Sequence, residues 1–173
     1  ETGGTPTRLL RRAARTAEKK LRGLIGGDGV AVRPLLDEAI AATVAEAPEE
    51  DREKMAAEFG LFTAQLGDFA FGTTKPYWTQ KEKKAKGTGG LFSITVNPYT
   101  CKACALCVTV CEDNALKMVT QTDASTDRLR RDWNLWLDLP TTPKEYSRID
   151  SLDEKVGALE TLLLDKRNYS SMN

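Results

Sequence analysis

The 173-residue chain contains no histidine. That removes the commonest general base and the commonest nitrogen ligand for a metal, so a Cys-His or Ser-His nucleophile has nothing to activate it. Net charge is also missing, with 25 basic residues against 25 acidic ones, and no overall polyelectrolyte character argues for a nucleic-acid or membrane partner. No apolar run reaches the roughly 20 residues that cross a bilayer, and the opening from Glu1 lacks the charged and apolar regions of a signal peptide. Starting without methionine suggests a fragment or a processed product. Cysteine is scarce, with four in all, every one between positions 101 and 111. Clustering disfavours a disulfide framework, because a chain of this length can build a core without staples. A reduced, cytoplasmic setting is the expectation.

What is present is concentrated in that same stretch. Cys101, Cys104, Cys107 and Cys111 read C-x2-C-x2-C-x3-C, the spacing that holds a ferredoxin-type 4Fe-4S cluster. Each two-residue gap turns the chain back towards the metal, so that amide N-H groups can bond to sulfur and offset the negative charge. Small Ala103 and Ala105 suit a crowded wrap. Zinc generally asks for two ligand pairs with a longer excursion between them, which this spacing lacks, but a zinc-stabilised interaction module stays open as an alternative. Cys111 has two readings. In two-cluster ferredoxins the last cysteine of such a run serves the other cluster, yet no second motif exists here, so either Cys111 closes the same cluster by a local distortion or a partner supplies a ligand and Cys111 looks elsewhere. The proline usual after it is replaced by Glu112. The working expectation is one 4Fe-4S cluster using all four thiols.

Around this core the pattern predicts an α+β chain: a helical bundle over 5–66, an exposed linker over 67–90, a one-cluster ferredoxin-like iron-sulfur unit over 91–122, and C-terminal helices with a connector over 123–173. Thr5-Pro6 should open the first helix, with Leu10, Ala13, Ala17, Leu21 and Leu24 as its apolar stripe and Gly26-Gly27 as its end. Its other face carries Arg8, Arg11, Arg12, Arg15, Lys19, Lys20 and Arg22 against a lone Glu18. Such a run is either a solvated face or a docking surface for an acidic partner. Pro34 and Pro48 should start the second and third helices, the latter with Met55, Phe59, Phe62 and Leu66 as core positions.

Lys75, Lys81, Lys83, Lys84 and Lys86, mixed with Gly87, Gly89 and Gly90, read as an exposed, mobile connection. No recognisable nucleic-acid motif frames the nearby Tyr77 and Trp78. Leu91 to Val96 alternates as a half-buried strand should, and Leu116 to Val119 is its expected return strand. Ile94, Val96, Leu116 and Met118 would then wall the cluster from water. A short helix is expected over 108–113, another from Asp123 to Ser125 onward with Leu129, Trp133 and Trp136 on one stripe, and a last amphipathic helix after a capping box at Ser151 to Glu154.

The run from Leu91 to Cys111, with Asn114 to Met118 after it, resembles the ferredoxin-like domain of 2-oxoacid:ferredoxin oxidoreductases, the family of pyruvate:ferredoxin oxidoreductase. Asp165 to Asn173 is similar to the connector into that family's thiamine-diphosphate domain, and Gly72 to Lys75 resembles the approach to its first cluster motif. The family's domain ordinarily carries two four-cysteine motifs; only the second is matched, and the lysine-glycine segment stands in place of the first. The resemblance implies an inserted electron-transfer domain that takes electrons from thiamine-dependent 2-oxoacid oxidation and passes them to an external ferredoxin or flavodoxin. Its partners would be the other domains or subunits of that enzyme, where thiamine diphosphate would reside. No catalytic residue is assigned in this chain. A free-standing ferredoxin-like subunit of another redox complex is the alternative.

Overall fold

The computed structural model describes residues 6–140. The chain divides into two compact units between Ile94 and Thr95. The first unit holds α1 (Thr7–Leu24), α2 (Val32–Ala45), α3 (Glu49–Leu66), a turn of π-helix at Lys75–Thr79 and α4 (Gln80–Lys84). The second holds α5 (Leu106–Thr109) and α6 (Asp123–Asp138).

Small residues let α1 and α2 approach closely. Ala13, Ala17 and Leu21 are the buried residues of α1, and Val32 and Ala39 of α2 are almost completely enclosed. One cluster joins Ala13, Ala47 and Met55, with Leu9, Val44 and Phe59 around it; a second joins Leu21, Val32 and Ala39, with Ile25, Leu35, Leu36 and Phe71. The ammonium of Lys20 meets Glu46 at 2.6 Å and ties α1 to the end of α2. Arg52 donates to the carbonyls of Ala45 and Ala47, covering acceptors that the end of α2 leaves open. Glu49, Glu50 and Asp51 sit in the first turn of α3, where acids suit the helix dipole.

Helix boundaries depart from the periodicity by small steps. Pro6 caps α1 in the structure, and the expected cap at Thr5 lies outside the described residues. The second helix begins two residues before Pro34, which the first turn tolerates because amides there have no helical acceptor. Leu24 is 37% exposed and Phe62, on the expected core stripe of α3, is 49% exposed.

Segment 67–92 is organised against the first two helices. Gly67 closes α3 at a φ of 53°, which a glycine adopts without strain, and its carbonyl accepts from Arg33. Backbone bonds link Gly29 to Thr73, Val32 to Phe71 and Thr73 to Val30, and Gly72 and Phe92 exchange a reciprocal pair at 2.8 and 2.9 Å. Thr73 is buried, its hydroxyl accepting from the Val30 amide and donating to the Gly27 carbonyl. Trp78 is buried under the guanidinium of Arg22, 5.4 Å from its ring centroid. Lys75, Lys83, Lys84 and Lys86 are exposed.

The α+β expectation is corrected here. Helix accounts for 59% of the described residues and isolated bridges for 2%, with no sheet among them. Of the alternating run Leu91 to Val96 only Phe92 pairs, with Gly72. Leu116 to Val119 pairs with nothing in a ladder, and Met118 and Val119 are exposed. Alternation records which side chains prefer one face, but a strand also needs a partner's donors and acceptors, and a lone hairpin is marginal in water. A ferredoxin-like α+β unit is therefore absent from the described residues.

The second unit is organised by α6. Thr122 and Ser125 form a reciprocal cap: the Thr122 hydroxyl accepts from the Ser125 amide at 3.1 Å and the Ser125 hydroxyl from the Thr122 amide at 2.9 Å. Trp133 is buried and stacks on Trp136, centroids 5.0 Å apart. The guanidinium of Arg130 lies 6.0 Å from the ring centre of Tyr99, two residues before Cys101. The expected last helix and the connector from Asp165 fall outside the described residues. Among the described residues no helix is long and apolar enough to cross a membrane.

Candidate metal centre

The cysteine loop starts from a turn. The Asn97 side chain accepts from the Tyr99 amide at 2.9 Å, and its carbonyl accepts from the Cys101 amide at 3.0 Å. Asparagine favours this because its short amide can replace a backbone partner. Lys102 and Ala103 then fill the first two-residue gap, with Ala103 at a φ of 50°; Ala105 and Leu106 fill the second, with Ala105 at 61°. Both gaps thus contain a left-handed alanine. For a residue with a Cβ that conformation costs on the order of 1–3 kcal/mol, and it persists where the surrounding structure demands it.

Ala105 also caps α5 at its start. Its carbonyl accepts from the amides of Val108 and Thr109 at 3.0 and 2.9 Å and from the Thr109 hydroxyl at 3.1 Å. The short helix starts at Leu106, earlier than the periodicity suggests, and Cys107 stands in its first turn. Beyond it the chain turns again. Asn114 takes a φ of 52°, its amide donates to the Cys111 carbonyl at 3.1 Å, and the Ala115 amide donates to Cys111 Sγ at 3.2 Å.

All four cysteines are free thiols; Cys101, Cys104 and Cys107 are exposed and Cys111 is half-buried. The structure turns the backbone around them without drawing the sulfurs together: among the described residues no three Cys, Asp or Glu side chains converge into a group that could hold a metal. The side chains expected as apolar walls are mostly exposed. Ile94 is 65% exposed and Met118 52%, Val96 is exposed, and Leu116 alone of the four is half-buried. The donor set itself fits an iron-sulfur group: four soft thiols at cluster spacing, left-handed turns in both short gaps, and an N-H···S bond already made to the fourth sulfur.

The sequence did not reveal Asn114, the Ala115 amide or the stack of Arg130 on Tyr99. Asparagine's tolerance of the left-handed region is the one signal that marked Asn114. In the first unit it did not reveal Glu82, whose Oε1 accepts from the Gly89 amide at 2.7 Å and from Arg22 Nη1 at 3.1 Å, while Oε2 accepts from the Gly87 amide at 2.9 Å. The Gly87 amide, working against burial, and then Gly89, Arg22 and Lys86 hold this carboxyl below its ordinary range. No family model matches the chain, and neither does any curated protein or solved structure.

Proposed function

We propose that Cys101, Cys104, Cys107 and Cys111 hold one 4Fe-4S cluster, and that the chain is the electron-transfer segment of a thiamine-dependent 2-oxoacid:ferredoxin oxidoreductase, relaying electrons to an external ferredoxin or flavodoxin. The observation that carries this reading is the left-handed alanine in each two-residue gap. An arc that turns at both gaps presents successive amides to one side, which is how a backbone offers donors to anionic sulfur. When bound, such a cluster supplies reversible one-electron chemistry. The chain's own residues do the rest: the thiols ligate, the Ala115 amide draws charge from Cys111, and Asn97 fixes the turn ahead of Cys101. A reducing compartment, the cytoplasm, suits free thiols of this kind.

Exposed apolar side chains favour a larger enzyme over a free-standing carrier. Tyr99 is 62% exposed, Leu106 66% and Val110 73%, all within the cysteine stretch or just before it. A carrier that diffuses alone gains nothing from such exposure, whereas neighbouring domains that carry thiamine diphosphate would cover it.

Anaerobic reconstitution with iron and sulfide tests the reading. The expected result is about four irons per chain, as a cubane requires, and a broad visible absorption that bleaches with dithionite. Zinc with a featureless visible spectrum, or no acid-labile sulfide under any reconstitution, overturns it.

A further inference from the structure

The seven basic residues of α1 separate into two groups. Lys20 pairs with Glu46, and Arg22 pairs with Glu18 and Glu82 while covering Trp78. Those two belong to the packing of the first unit. Arg8, Arg11, Arg12, Arg15 and Lys19 are all exposed, and none has an ion-pair partner among the described residues.

Their spacing makes the five one surface. At about 100° per residue they share one side of the helix, opposite the buried Ala13, Ala17 and Leu21, and with a rise of 1.5 Å per residue they span about 16 Å. Apart from Glu18, three residues from Arg15 and paired with Arg22, nothing local among the described residues favours this arrangement. Arg8 and Arg12, Arg11 and Arg15, and Arg15 and Lys19 are like-charged neighbours at four-residue spacing, which repel. The first turn carries no acid, so Arg8 stands at the positive end of the helix dipole uncompensated.

We infer that this stripe is a docking surface for an acidic protein face, one presenting carboxylates at helical spacing. Four of the five residues are arginine, whose planar fork takes carboxylates in two parallel bonds. The apolar side of α1 is buried in the bundle, so no greasy face remains to enter a lipid surface. No aromatic side chain lies in α1 to stack on single-stranded bases, and a chain of zero net charge supplies no wider positive field for a duplex. Charge complementarity therefore selects a carboxylate-bearing protein, and the inference stands whether or not the cysteines hold a cluster.

The test uses the full chain and a fluorescein-labelled Ala-Glu helical peptide with carboxylates three and four residues apart, followed by anisotropy at low and moderate salt. Saturable binding that weakens as salt rises is expected. An Arg11→Glu/Arg15→Glu variant should bind at least about tenfold more weakly while its thermal midpoint stays near the parent's, because the new acid at 15 attracts Lys19, the one at 11 attracts Arg8, and positions 11 and 15 repel each other in either form. Arg11→Gln/Arg15→Gln should fall between, and Lys54→Glu on α3, the helix packed on the Ala13 side of α1 and so opposite the stripe, should bind within about twofold of the parent chain. Equal binding by the Arg11→Glu/Arg15→Glu variant overturns the inference. So does tighter binding of the parent chain to a short DNA duplex or to phosphatidylserine vesicles than to the peptide.

Discussion

Arg22 Nη1 lies 3.1 Å from Glu82 Oε1 and 3.2 Å from the Gly89 carbonyl, so one guanidinium in α1 fastens both α4 and the glycine turn after it. The same carboxylate collects the amides of Gly87 and Gly89. A segment rich in lysine and glycine is thereby held by one acid and one base from distant parts of the chain.

Removing that acid has a pH signature. The Glu82 carboxyl titrates below its ordinary 4.5, so the folded state favours the charged form. Its contribution is complete above the unfolded value and is lost as pH falls through the lower folded one. Glu82→Gln should therefore cost on the order of 1 kcal/mol near neutrality and progressively less as pH falls below the ordinary carboxylate value. Urea unfolding at several pH values checks this; an equal difference at pH 3 and pH 7 would contradict it.

Gly89 has no room for a side chain. A Cβ there would stand 2.8 Å from Glu82 Oε1 and 2.9 Å from Trp78 Cε3. Gly89→Ala should cost about 1–3 kcal/mol, the usual scale for overpacking, and should shift tryptophan fluorescence as Trp78 is displaced. A variant with the parent's urea midpoint would show that the site yields more easily than its contacts suggest.

In the cysteine loop, Ala105→Val places a β-branched residue in the left-handed region. Cluster yield on reconstitution should drop several-fold while far-UV circular dichroism stays near the parent's, since α5 contributes a single turn. Ala105→Gly, which adopts the same φ freely, should keep the parent's yield. Equal yields in the valine and glycine variants would remove the left-handed turn from the argument.

The sulfurs themselves are expected to act as a set. Cys101→Ser, Cys104→Ser and Cys107→Ser should each lower bound iron severely. Cys111→Ser should also lose iron and alter the reduced electron paramagnetic resonance spectrum. An unchanged spectrum in that last variant would mean that Cys111 is not a ligand.

The cap of α6 gives a stability prediction free of any cofactor. Thr122→Ala removes the acceptor for the Ser125 amide and leaves the Ser125 hydroxyl to act alone. About 1 kcal/mol should be lost, read as a lower thermal midpoint of the α6 signal.

How far the sequence could be read follows from the range of the forces involved. The first three helices were legible because three- and four-residue apolar steps and well-placed breakers are local signals: Gly26-Gly27, Pro34 and Pro48 punctuate them. The four cysteines were legible because ligand spacing is also local. The strands over 91–96 and 116–119 were misread because alternation does not reveal whether a partner exists, and Phe92 alone found one. Glu82 was illegible because its meaning depends on Arg22, sixty positions away. The positive φ of Ala103 and Ala105 was illegible for another reason: alanine carries no mark of the left-handed region, as glycine or asparagine does.

Tyr99 sits beneath Arg130 just ahead of the first thiol, and this couples the timing of two events. Whenever α6 frays as far as Arg130, the ring loses its cover and the turn at Asn97 loses a neighbour, so amide deuteration at Tyr99 and Cys101 should accelerate together with that of the helix. Oxidation or alkylation at Cys101, whose thiol is already exposed, should proceed at a rate independent of that opening.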